Sequence, residues 1–358
     1  MATICQIGCG MIGRVMALDI SKRHDLHLSD LDKPALKKVK TLDPTIKTKC
    51  FNVDDSEQLK SFLKPADIVL LAVPGHMGYK LLKRIIEFKK NIVDISFSPE
   101  NILSLDKKAK DNNVTVIFDA GLAPGIPNFL LGNINAKENV KSFKYFVGGL
   151  PKYPKPPYNY KAPFSPIDVV EEYTRPARIM KNGEVITKPA LTEIEEKVYQ
   201  NTGILEGFNT DGLRSILLTM KHIPNMVEKT LRFPGHAKLR SKELESGKII
   251  PGDKKNLQRL FKIWRLLPNE LEFTILDVII ETEIRTHNYF LFDETNLKEN
   301  TSSMARTTGY TASATIDLLD QNIFVEKGVF PPELVGSKSK VVDYLVNFLR
   351  QRGIILQK

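Results

Sequence analysis

A glycine-rich turn near the start of the sequence constrains its fold more than any other feature. An apolar run over Thr3–Ile7 is followed at once by Gly8-Cys9-Gly10-Met11-Ile12-Gly13, and apolar residues then recur at helical spacing over Met11–Lys22. In a βαβ unit the first glycine of such a turn allows tight curvature, the second leaves room for a pyrophosphate, and the third lets the helix pack closely on the sheet. Backbone amides at the helix start bind the phosphates. The sequence therefore predicts a dinucleotide site at Gly8, Gly10, Met11, Ile12 and Gly13.

Short apolar runs and helical patterns alternate through the first third of the chain. Five runs after the first predict strands at Leu26–Ser29, Lys49–Val53, Ile68–Ala72, Asn91–Ile95 and Val114–Phe118. Between them, apolar residues recur at helical spacing, for example over Tyr79–Phe88. Alternation of this kind is typical of a parallel sheet that is covered by helices on both faces. We therefore predict an α/β fold with an N-terminal Rossmann domain over residues 1–125.

Beyond residue 125 the pattern no longer alternates, which predicts a second domain of the α+β class over residues 126–300. Six prolines occur between Pro151 and Pro166, Pro163 among them, and indicate an irregular segment of the kind that lines a site or covers a partner subunit. Residues 301–358 are predicted to form C-terminal helices that return to the Rossmann domain.

Turn and helix patterns predict several elements of these later regions. Asn182-Gly183 lies between two β-rich runs and predicts a two-residue hairpin turn. A second strand pair is predicted over Phe273–Thr286 and Tyr289–Phe292, with its turn at His287-Asn288. Helical spacing returns in two later stretches, Ala305–Leu319 and Ser339–Arg352.

Acidic residues at the end of the second predicted strand bear on the choice of cofactor. Asp30 lies where a carboxylate accepts hydrogen bonds from both hydroxyls of the adenosine ribose, and Asp32 is the alternative. A carboxylate at this place repels a 2′-phosphate, so NAD is favoured over NADP. Nearby lysines keep NADP open: Lys33, Lys37 and Lys38.

Further segments of the first domain lie at predicted loops near the cofactor. Ala72, Val73 and Pro74 follow the fourth strand at the carboxyl edge of the sheet, where ligands bind in such folds, so we expect them near the nicotinamide ribose. His76 comes next, either as a proton carrier or as a bystander. Asp54 either contacts the adenine or caps the helix that begins near Ser56.

Composition and charge argue against several other classes of function. The net charge of +10 comes from lysines scattered along predicted helices rather than from one basic motif, so we expect no nucleic-acid partner. Three cysteines argue against a disulfide framework, and neither they nor the six histidines show the spacing of a metal site, so no metal is predicted. The longest apolar run is far shorter than a membrane helix. We therefore expect a soluble cytoplasmic protein with no secretory leader and no membrane partner.

One loop and several later segments resemble a known family. The loop after the sixth predicted strand is Asp119-Ala120-Gly121-Leu122-Ala123-Pro124-Gly125. The later segments are Val147-Gly148-Gly149-Leu150-Pro151, Pro156-Pro157 with Asn159-Tyr160, Tyr173-Thr174-Arg175-Pro176-Ala177, Lys229-Thr230-Leu231-Arg232-Phe233-Pro234-Gly235-His236, Met304-Ala305-Arg306-Thr307-Thr308-Gly309-Tyr310 and Gly328-Val329-Phe330-Pro331-Pro332-Glu333. Together they resemble the saccharopine dehydrogenase and reductase family, and most of all its L-lysine 6-dehydrogenase branch.

The resemblance implies an NAD(P)-dependent oxidoreductase that acts at an amine-bearing carbon of an amino acid. It also implies that the second domain binds the substrate and forms a homodimer or a larger homo-oligomer. Lysine 6-dehydrogenases oxidise the C–N bond at the end of the lysine side chain, whereas saccharopine enzymes make or cleave a secondary amine between lysine and a keto acid. We expect the first activity and keep the second as the alternative, with a non-catalytic NAD-binding regulatory protein as a third hypothesis. Segments 95–100 and 206–212 depart from the pattern of the lysine enzymes and leave the amine substrate open.

Amine oxidation needs a base, because an ammonium group has no lone pair to drive the departure of a hydride. The candidates for that base are Asp119, His236 and Asp211. Asp119 alternatively pins the loop that supplies Gly121 and Leu122 to the cofactor site. Asp211 alternatively caps a helix predicted over Gly212–Leu218. Candidates for contacts with the substrate and its carboxylate are Tyr160, Arg175, Asn209 and Arg232.

Overall fold

The computed structural model describes residues 1–162, 166–267 and 270–358, without the side chains of residues 166 and 167. Pro163, one of the prolines counted above, lies outside these ranges. Contacts group the described residues into two compact units. The first unit consists of Met1–Ala136 and Ala305–Arg352, and the second consists of Lys137–Met304 and Gly353–Lys358.

Residues 1–136 alternate strands with helices. The strands are β1 (Thr3–Ile7), β2 (Asp25–Asp30), β3 (Lys47–Cys50), β4 (Ile68–Leu71), β5 (Asn91–Asp94) and β6 (Thr115–Ile117). The α-helices are α1 (Met11–Ile20), α2 (Lys33–Leu42), α3 (Ser56–Leu63), α4 (Gly75–Glu87), α5 (Asp106–Asp111) and α6 (Ile126–Asn135), and a 3-10 helix spans Ile102–Leu105.

The remaining residues form longer strands and the C-terminal helices. These strands are β7 (Val140–Pro151), β8 (Ala177–Lys181), β9 (Glu184–Lys188), β10 (Glu195–Tyr199), β11 (Gly203–Asn209), β12 (Asn225–Arg232), β13 (Glu272–Thr282), β14 (Thr286–Glu294), β15 (Gly328–Phe330) and β16 (Leu356–Gln357). The helices are α7 (Pro166–Thr174), α8 (Ile216–Thr219), α9 (His236–Glu245), α10 (Lys254–Trp264), α11 (Ser303–Asp320), α12 (Pro332–Val335) and α13 (Ser339–Gln351).

The first unit is built on a parallel sheet in the order β15-β6-β5-β4-β1-β2-β3. β1 pairs with β2 on one side and with β4 on the other. The strands that follow β1 are therefore added first on one side of it and then on the other, and the order of the sheet reverses at β1. Ligands bind at such a reversal in open α/β sheets. The predicted α/β class, with a Rossmann-like parallel sheet, is confirmed.

Strand pairing and helix packing join the C-terminal segment to the rest of the first unit. Strand β15 extends the sheet beyond β6, with Val329 opposite Val116. Helix α11 lies close to α1, because a Cβ added to Gly309 would be 3.1 Å from the Cγ of Met16. The sequence did not predict β15, since three residues are too few for a periodic pattern.

The second unit is built on a mixed sheet. Its main path runs β10-β11-β12-β7-β13-β14-β16, and β8 pairs with both β12 and β9. Helices α7, α9 and α10 supply Tyr173, Ala237 and Trp264 to the buried core of this unit. The hairpin predicted at Asn182-Gly183 is confirmed: β8 and β9 pair in register, and both turn residues have positive φ.

Two strand predictions are wrong at their ends by two residues or more. The third strand spans Lys47–Cys50 rather than Lys49–Val53. It stops because Asn52 forms a turn, with its side chain accepting from the Asp54 amide and its carbonyl accepting from the Asp55 amide. The turn between β13 and β14 lies at residues 283–285, where the Thr282 hydroxyl oxygen accepts from the amides of residues 284 and 285. His287-Asn288, predicted as that turn, instead belongs to β14.

Two helix predictions also differ from the structure. Helix α4 begins at Gly75 rather than Tyr79, because its first turn carries few of the apolar residues from which the periodicity was read. The helix predicted over Gly212–Leu218 is only the short α8, Ile216–Thr219. A positive φ of 47° at Arg214 is incompatible with a right-handed helix through that position.

Candidate functional site

The turn that follows β1 requires glycine at two positions. Gly8 has a φ of 109° and donates its amide to the Ser29 carbonyl at 2.8 Å. A Cβ at Gly8 would lie 2.2 Å from the Ala72 oxygen, and one at Gly13 would lie 2.4 Å from the Gly8 oxygen. Both contacts are too short for any side chain, so the turn and the helix after it approach the sheet only because these residues are glycine.

In contrast to Gly8 and Gly13, Gly10 has open space where a side chain would be, and this space suits a bound pyrophosphate. A Cβ added to Gly10 would meet no protein atom within 4 Å among the described residues. Gly10 is the N-cap of α1 and brings no capping side chain, and the first intrahelical bond runs from the Arg14 amide to the Gly10 oxygen. The amides of Met11, Ile12 and Gly13 lie at the positive end of the helix dipole, and the space that a side chain at Gly10 would fill is open. These residues fit a dinucleotide.

A glutamine side chain holds this turn in shape. The Gln6 amide nitrogen donates to the carbonyl oxygens of Gly8 at 2.8 Å and Gly13 at 2.6 Å, and Gln6 is fully buried. It thereby joins the end of β1 to the first turn of α1. Gln6 was not predicted as part of the site, although a polar side chain within an otherwise apolar buried strand indicates that it forms local hydrogen bonds.

Asp30 at the end of β2 contacts the same turn. One carboxylate oxygen accepts from the Cys9 amide at 2.6 Å and the other accepts from the Asp32 amide at 2.7 Å. The Asp32 carboxylate caps α2 by accepting from the Ala35 amide at 3.1 Å. Asp32 is thus used as a cap, and Asp30 lies at the strand end where a ribose diol binds in this fold.

Cys9 lies between Gly8 and Gly10 and has a buried thiol. Burial, together with the charge of Asp30, raises the pKa of this thiol to about 12. The group therefore stays protonated at neutral pH and adds no negative charge where a phosphate would bind.

The segment after β4 follows the predicted edge of the sheet. Ala72 donates its amide to the Ile7 carbonyl at 2.8 Å, and Val73 and Pro74 lead into α4. Gly75 packs against the loop after β5, where a Cβ would be 2.3 Å from the Phe97 oxygen. These contacts bring the loops after β4 and β5 together at the carboxyl edge of the sheet.

Two predicted groups of the first domain lie on the surface. His76, in the first turn of α4, is exposed. Asp54 is exposed, and its Oδ1 lies 3.3 Å from the Nζ of Lys80. The predicted capping role of Asp54 is wrong, because Asp55 caps α3 by accepting from the amides of Glu57 and Gln58 at 3.1 Å each.

The loop after β6 has a compact, strained backbone. Asp119 is buried and has a φ of 56°, which is rare for a residue other than glycine. The Gly121 amide donates to the Pro124 oxygen at 3.2 Å, and Leu122 is buried. Gly125 has a φ of 145°, and a Cβ there would be 1.7 Å from the Gly121 oxygen. The loop conformation thus depends on Gly125, and backbone strain of this kind is concentrated at functional sites.

A cluster of buried polar side chains lies in the second unit. Glu228, Thr230 and Arg232 alternate along β12 and therefore point to one face of the sheet. Glu206 of β11 is opposite Arg232, and Phe208 is opposite Thr230. Because ionisable groups are rarely buried without a purpose, this face is the candidate substrate site of the second unit.

Arg232 is fixed from three directions. Its Nη2 donates to Glu172 at 2.7 Å and to the Tyr160 hydroxyl at 3.3 Å, and its Nη1 donates to the Leu231 carbonyl at 2.9 Å. The guanidinium also lies 4.4 Å from the centre of the Tyr160 ring. The neighbouring tyrosines and Glu172 keep the pKa of Arg232 above its ordinary value despite burial. The structure thus brings together two of the predicted substrate residues, Arg232 and Tyr160.

His236 begins α9 beside these residues and is itself buried. Its Nε2 accepts from the Tyr173 hydroxyl at 2.8 Å, which leaves Nδ1 to donate to the Tyr158 carbonyl at 3.3 Å. Burial and the charges of Arg232 and Arg240 lower the pKa of His236 well below its ordinary value. The imidazole is therefore neutral, with both nitrogens bonded to tyrosines.

Glu206 caps the helix that carries His236. Its two oxygens accept from the amides of Gly235 at 2.7 Å and Ala237 at 2.6 Å. A carboxylate at this end is also favoured by the helix dipole. The capping role of Glu206 was not predicted, because Glu206 and Ala237 are 31 residues apart in the sequence.

The remaining predicted residues of the second domain bond to partners other than Arg232, Tyr160 and His236. Asp211 accepts three hydrogen bonds from Arg178, one of them from its backbone amide. It does not cap α8, whose N-cap is Ser215. Asn209 donates to Glu193 at 2.8 Å, and Arg175 pairs with Glu171.

Glu228 is a carboxyl group that the sequence analysis did not single out. It accepts from the Thr210 hydroxyl at 2.5 Å and from the Gly212 amide at 3.1 Å. Burial raises its pKa to about 8, and the charges of Glu172 and Asp211 act in the same direction. At neutral pH this group is largely protonated and uncharged.

Both halves of the chain match sequence profiles of one family. Residues 4–117 match the family described as "Saccharopine dehydrogenase NADP binding domain", and residues 121–354 match the one described as "Saccharopine dehydrogenase C-terminal domain". The chain belongs to the saccharopine dehydrogenase family. The resemblance stated from the motifs is therefore confirmed, and the cofactor class is NAD(P).

Individual relatives agree with this family. The chain is 32% identical over 142 residues to "Alpha-aminoadipic semialdehyde synthase" of Arabidopsis thaliana, which covers 38% of this chain and 13% of that protein. It is 25% identical over 198 residues to "Saccharopine dehydrogenase [NADP(+), L-glutamate-forming]" of Saccharomyces cerevisiae, covering 51% of this chain and 44% of that protein. The matches thus span less than half of each relative.

A solved structure shows the same fold over the whole chain. Saccharopine dehydrogenase (L-Glu forming) from Saccharomyces cerevisiae superposes with a TM-score of 0.79 and 16% identity, covering 100% of this chain and 99% of that one. Among the described residues, no helix has the length and apolar character to cross a membrane. Nor do the residues that the structure describes include a group of three or more histidine, cysteine or acidic side chains that could bind a metal.

Proposed function

We propose that this protein is an NAD-dependent oxidoreductase of the saccharopine dehydrogenase type, which forms or cleaves the C–N bond of a secondary amine of an amino acid. The observation that carries the redox assignment is the open space at Gly10 beside the uncapped amides of α1, within a chain that belongs to this family. The names of the relatives support the saccharopine reaction over oxidation of the lysine side chain alone.

The choice of NAD over NADP rests on Asp30. Its carboxylate is held at the end of β2 by the amides of Cys9 and Asp32, so it cannot turn away from a ribose without losing two hydrogen bonds. A fixed carboxylate accepts bonds from a diol and repels a 2′-phosphate. We therefore infer NAD, although the matching family is described as NADP-binding.

The chemistry of C–N cleavage assigns roles to three further residues. A bound nicotinamide would supply the hydride acceptor for the amine-bearing carbon, and hydrolysis of the resulting imine by water would break the C–N bond. We assign the proton transfers to Asp119, which follows the parallel strand β6 at the carboxyl edge of its sheet. We assign binding of a substrate carboxylate to Arg232, since a guanidinium fork binds carboxylates at two points. His236 positions Tyr158 and Tyr173 rather than taking a proton, because both of its nitrogens are bonded.

One assay separates the possible activities. Purified protein is given NAD with saccharopine, and in parallel NAD with lysine alone, and NADH is followed by absorbance. The proposal expects NADH with saccharopine and none with lysine. NADH from lysine alone would instead identify a lysine 6-dehydrogenase. NAD binding by calorimetry without turnover of either amine would identify a non-catalytic regulatory protein.

A further inference from the structure

Glu333, at the end of the last motif segment, is a buried glutamate on the short helix α12. It is completely buried, and its Oε2 accepts a hydrogen bond of 2.9 Å from the side-chain Nδ2 of Asn128, which is also completely buried. Glutamate is rarely buried to this extent unless its carboxylate is paired or bonded. The two residues are 205 positions apart in the sequence, so the contact joins the C-terminal segment to α6. The proposed function gives this pair no role.

Two glycines allow α6 and α12 to lie in backbone contact around this pair. A Cβ at Gly132 would be 2.0 Å from the Glu333 carbonyl oxygen, and one at Gly336 would be 2.3 Å from the Phe129 carbonyl oxygen. Both distances are too short for a side chain, so the helices approach this closely only because both residues are glycine. The position of Glu333 relative to α6 is therefore fixed by backbone packing as well as by its hydrogen bond.

Asn128 connects Glu333 to the loop of residues 119–125 that follows β6. Its Oδ1 accepts from the amide of Gly125, the N-cap of α6, at 3.2 Å. A side chain at the third position of a helix can bond back to the N-cap amide in this way. A carboxylate only accepts hydrogen bonds, so Asn128 must turn its Nδ2 to Glu333 and its Oδ1 to Gly125. Glu333 thereby selects the orientation of the Asn128 amide.

The Gly125 backbone in turn fixes the part of the loop that follows Asp119. Gly125 forms an isolated parallel β-bridge with Gly121, two residues after Asp119. On the other side of Asp119, the Phe118 amide donates to the Phe330 carbonyl of β15 at 3.2 Å. The loop is therefore bonded at its start to β15 and at its end, through Asn128, to α12.

We propose that Glu333 and Asn128 are positioning residues for Asp119. The pair holds Gly125, and with it the loop that carries the base, in the conformation that proton transfer requires. Neither residue of the pair transfers a proton itself. This inference rests on the proposed function, since it concerns the loop to whose Asp119 we assign the proton transfers.

Substitutions that remove or keep the acceptor at residue 333 test the pair. Glu333→Met has a similar size but cannot accept from Asn128, whereas Glu333→Gln keeps an accepting oxygen. We expect kcat for NADH formation from saccharopine to fall about tenfold to a hundredfold in Glu333→Met, since a misplacement of about 1 Å costs up to about 10²-fold. Glu333→Gln should keep most of the kcat of the parent protein. An unchanged kcat in Glu333→Met, or an equal loss in both variants, overturns the proposal.

A double variant reverses the direction of the hydrogen bond. In Asn128→Asp combined with Glu333→Gln, the new amide donates to the new carboxylate, whose second oxygen still accepts from the Gly125 amide. This variant should also keep most of the parent kcat, and a loss as large as that of Glu333→Met overturns the proposal. The matched control is Glu326→Met, the same substitution at an exposed residue of the C-terminal segment, which should leave kcat unchanged.

Melting temperature and KM separate positioning from a merely structural role. All kcat values are measured well below the melting temperature of each variant, so that they refer to folded protein. A pair that only joined the two helices would lower the melting temperature of Glu333→Met and leave its kcat unchanged. Positioning lowers kcat with little change in the KM for saccharopine, whose carboxylate we assign to Arg232. If Glu333→Met does not fold, Asn128→Leu, which removes the acceptor for the Gly125 amide, takes its place with the same expectation.

Hydrogen exchange keeps the outcome separable from that of the proposed function. Exchange of the backbone amides of residues 119–126 should be faster in Glu333→Met than in Glu333→Gln and the parent protein, whether or not saccharopine is a substrate. Faster exchange, without NADH from the parent protein, supports the hold of this pair on the loop and rejects the proposed function. NADH from the parent protein, with the same exchange and the same kcat in Glu333→Met, supports the proposed function and rejects this inference.

Discussion

The carboxylate of Asp30 accepts a hydrogen bond of 2.6 Å from the backbone amide of Cys9, and so joins the end of β2 to the glycine turn that follows β1. The contact orients one acidic group at the place where the adenosine ribose binds in this fold. The choice between NAD and NADP therefore depends on the geometry of the glycine turn, because the Cys9 amide of that turn orients the Asp30 carboxylate.

Replacing Asp30 by serine should relax the preference for NAD. The variant loses the charge that repels a 2′-phosphate and one strong acceptor for the ribose, a difference of about 1.5–3 kcal/mol. We expect the ratio of kcat/KM for NAD to that for NADP to fall roughly tenfold to a hundredfold. The control is Asp32→Ser, which retains a capping oxygen on α2 and should leave the ratio unchanged. An unaltered ratio in Asp30→Ser would refute the assignment.

Alanine at two glycines should separate cofactor binding from stability. A Cβ at Gly10 meets no protein atom among the described residues, whereas one at Gly13 lies 2.4 Å from the Gly8 oxygen. Gly10→Ala should therefore keep its melting temperature and bind NAD at least about tenfold more weakly, because the methyl group occupies the place of the pyrophosphate. Gly13→Ala should unfold more readily, by about 1–3 kcal/mol. Calorimetry with NAD and thermal melting measure the two effects, and normal NAD binding by Gly10→Ala would contradict the proposed site.

Glu228 should make the protein less stable as the pH rises. Its pKa is about 8 in the folded state and 4.5 for an unperturbed glutamate, so folding favours the protonated form. The stability that this preference confers is complete below about pH 4.5 and is lost as the pH rises through 8. Glu228→Gln removes the dependence, and its free energy of unfolding relative to the parent should improve by on the order of 3 kcal/mol between pH 5 and pH 9. Denaturant unfolding at both pH values measures this, with exposed Glu196→Gln as the control that should show no such change.

Asp119→Asn tests the proposed base. Asparagine tolerates the positive φ at this position, so the backbone should be kept. Loss of a general base lowers kcat by about 10²–10⁴, and we expect that loss with little change in melting temperature. If Asp119 only stabilises the loop, the melting temperature of the variant should fall and its kcat should decrease only slightly. The pH profile of kcat/KM distinguishes the two, because only removal of a base abolishes its acidic limb.

Local patterns predicted the first unit well, and the reasons are physical. The glycine turn is encoded within six residues, and the strands around it are continuous apolar runs, so spacing alone identifies them. Gln6 escaped notice because its two acceptors become neighbours only when the turn closes. The ends of β3 and the start of α4 were misplaced because neither the turn formed by the Asn52 side chain nor the glycine-rich first turn of α4 changes the hydrophobic periodicity of the sequence.

The site of the second unit could be predicted only in part. Arg232, Tyr160 and His236 were found because they lie in motifs of the family. Glu228 lies in no such motif, and its significance comes from neighbours that are distant along the sequence. Asp211 was expected at the site for its charge, yet the structure pairs it with Arg178, 33 residues away. The spacing of residues along the sequence does not predict which distant side chains will pair.

The parallel sheet ends at β15, a strand contributed by the last tenth of the chain, and Gly309 of α11 packs against Met16 of α1. A fragment that stopped at Ala136 would therefore leave the outer backbone groups of β6 without partners and would uncover an apolar side of α1. Such an edge is a template for pairing with other chains. We therefore expect an isolated N-terminal fragment to aggregate. Studies of cofactor binding by the first unit should use a protein that retains the carboxyl-terminal segment.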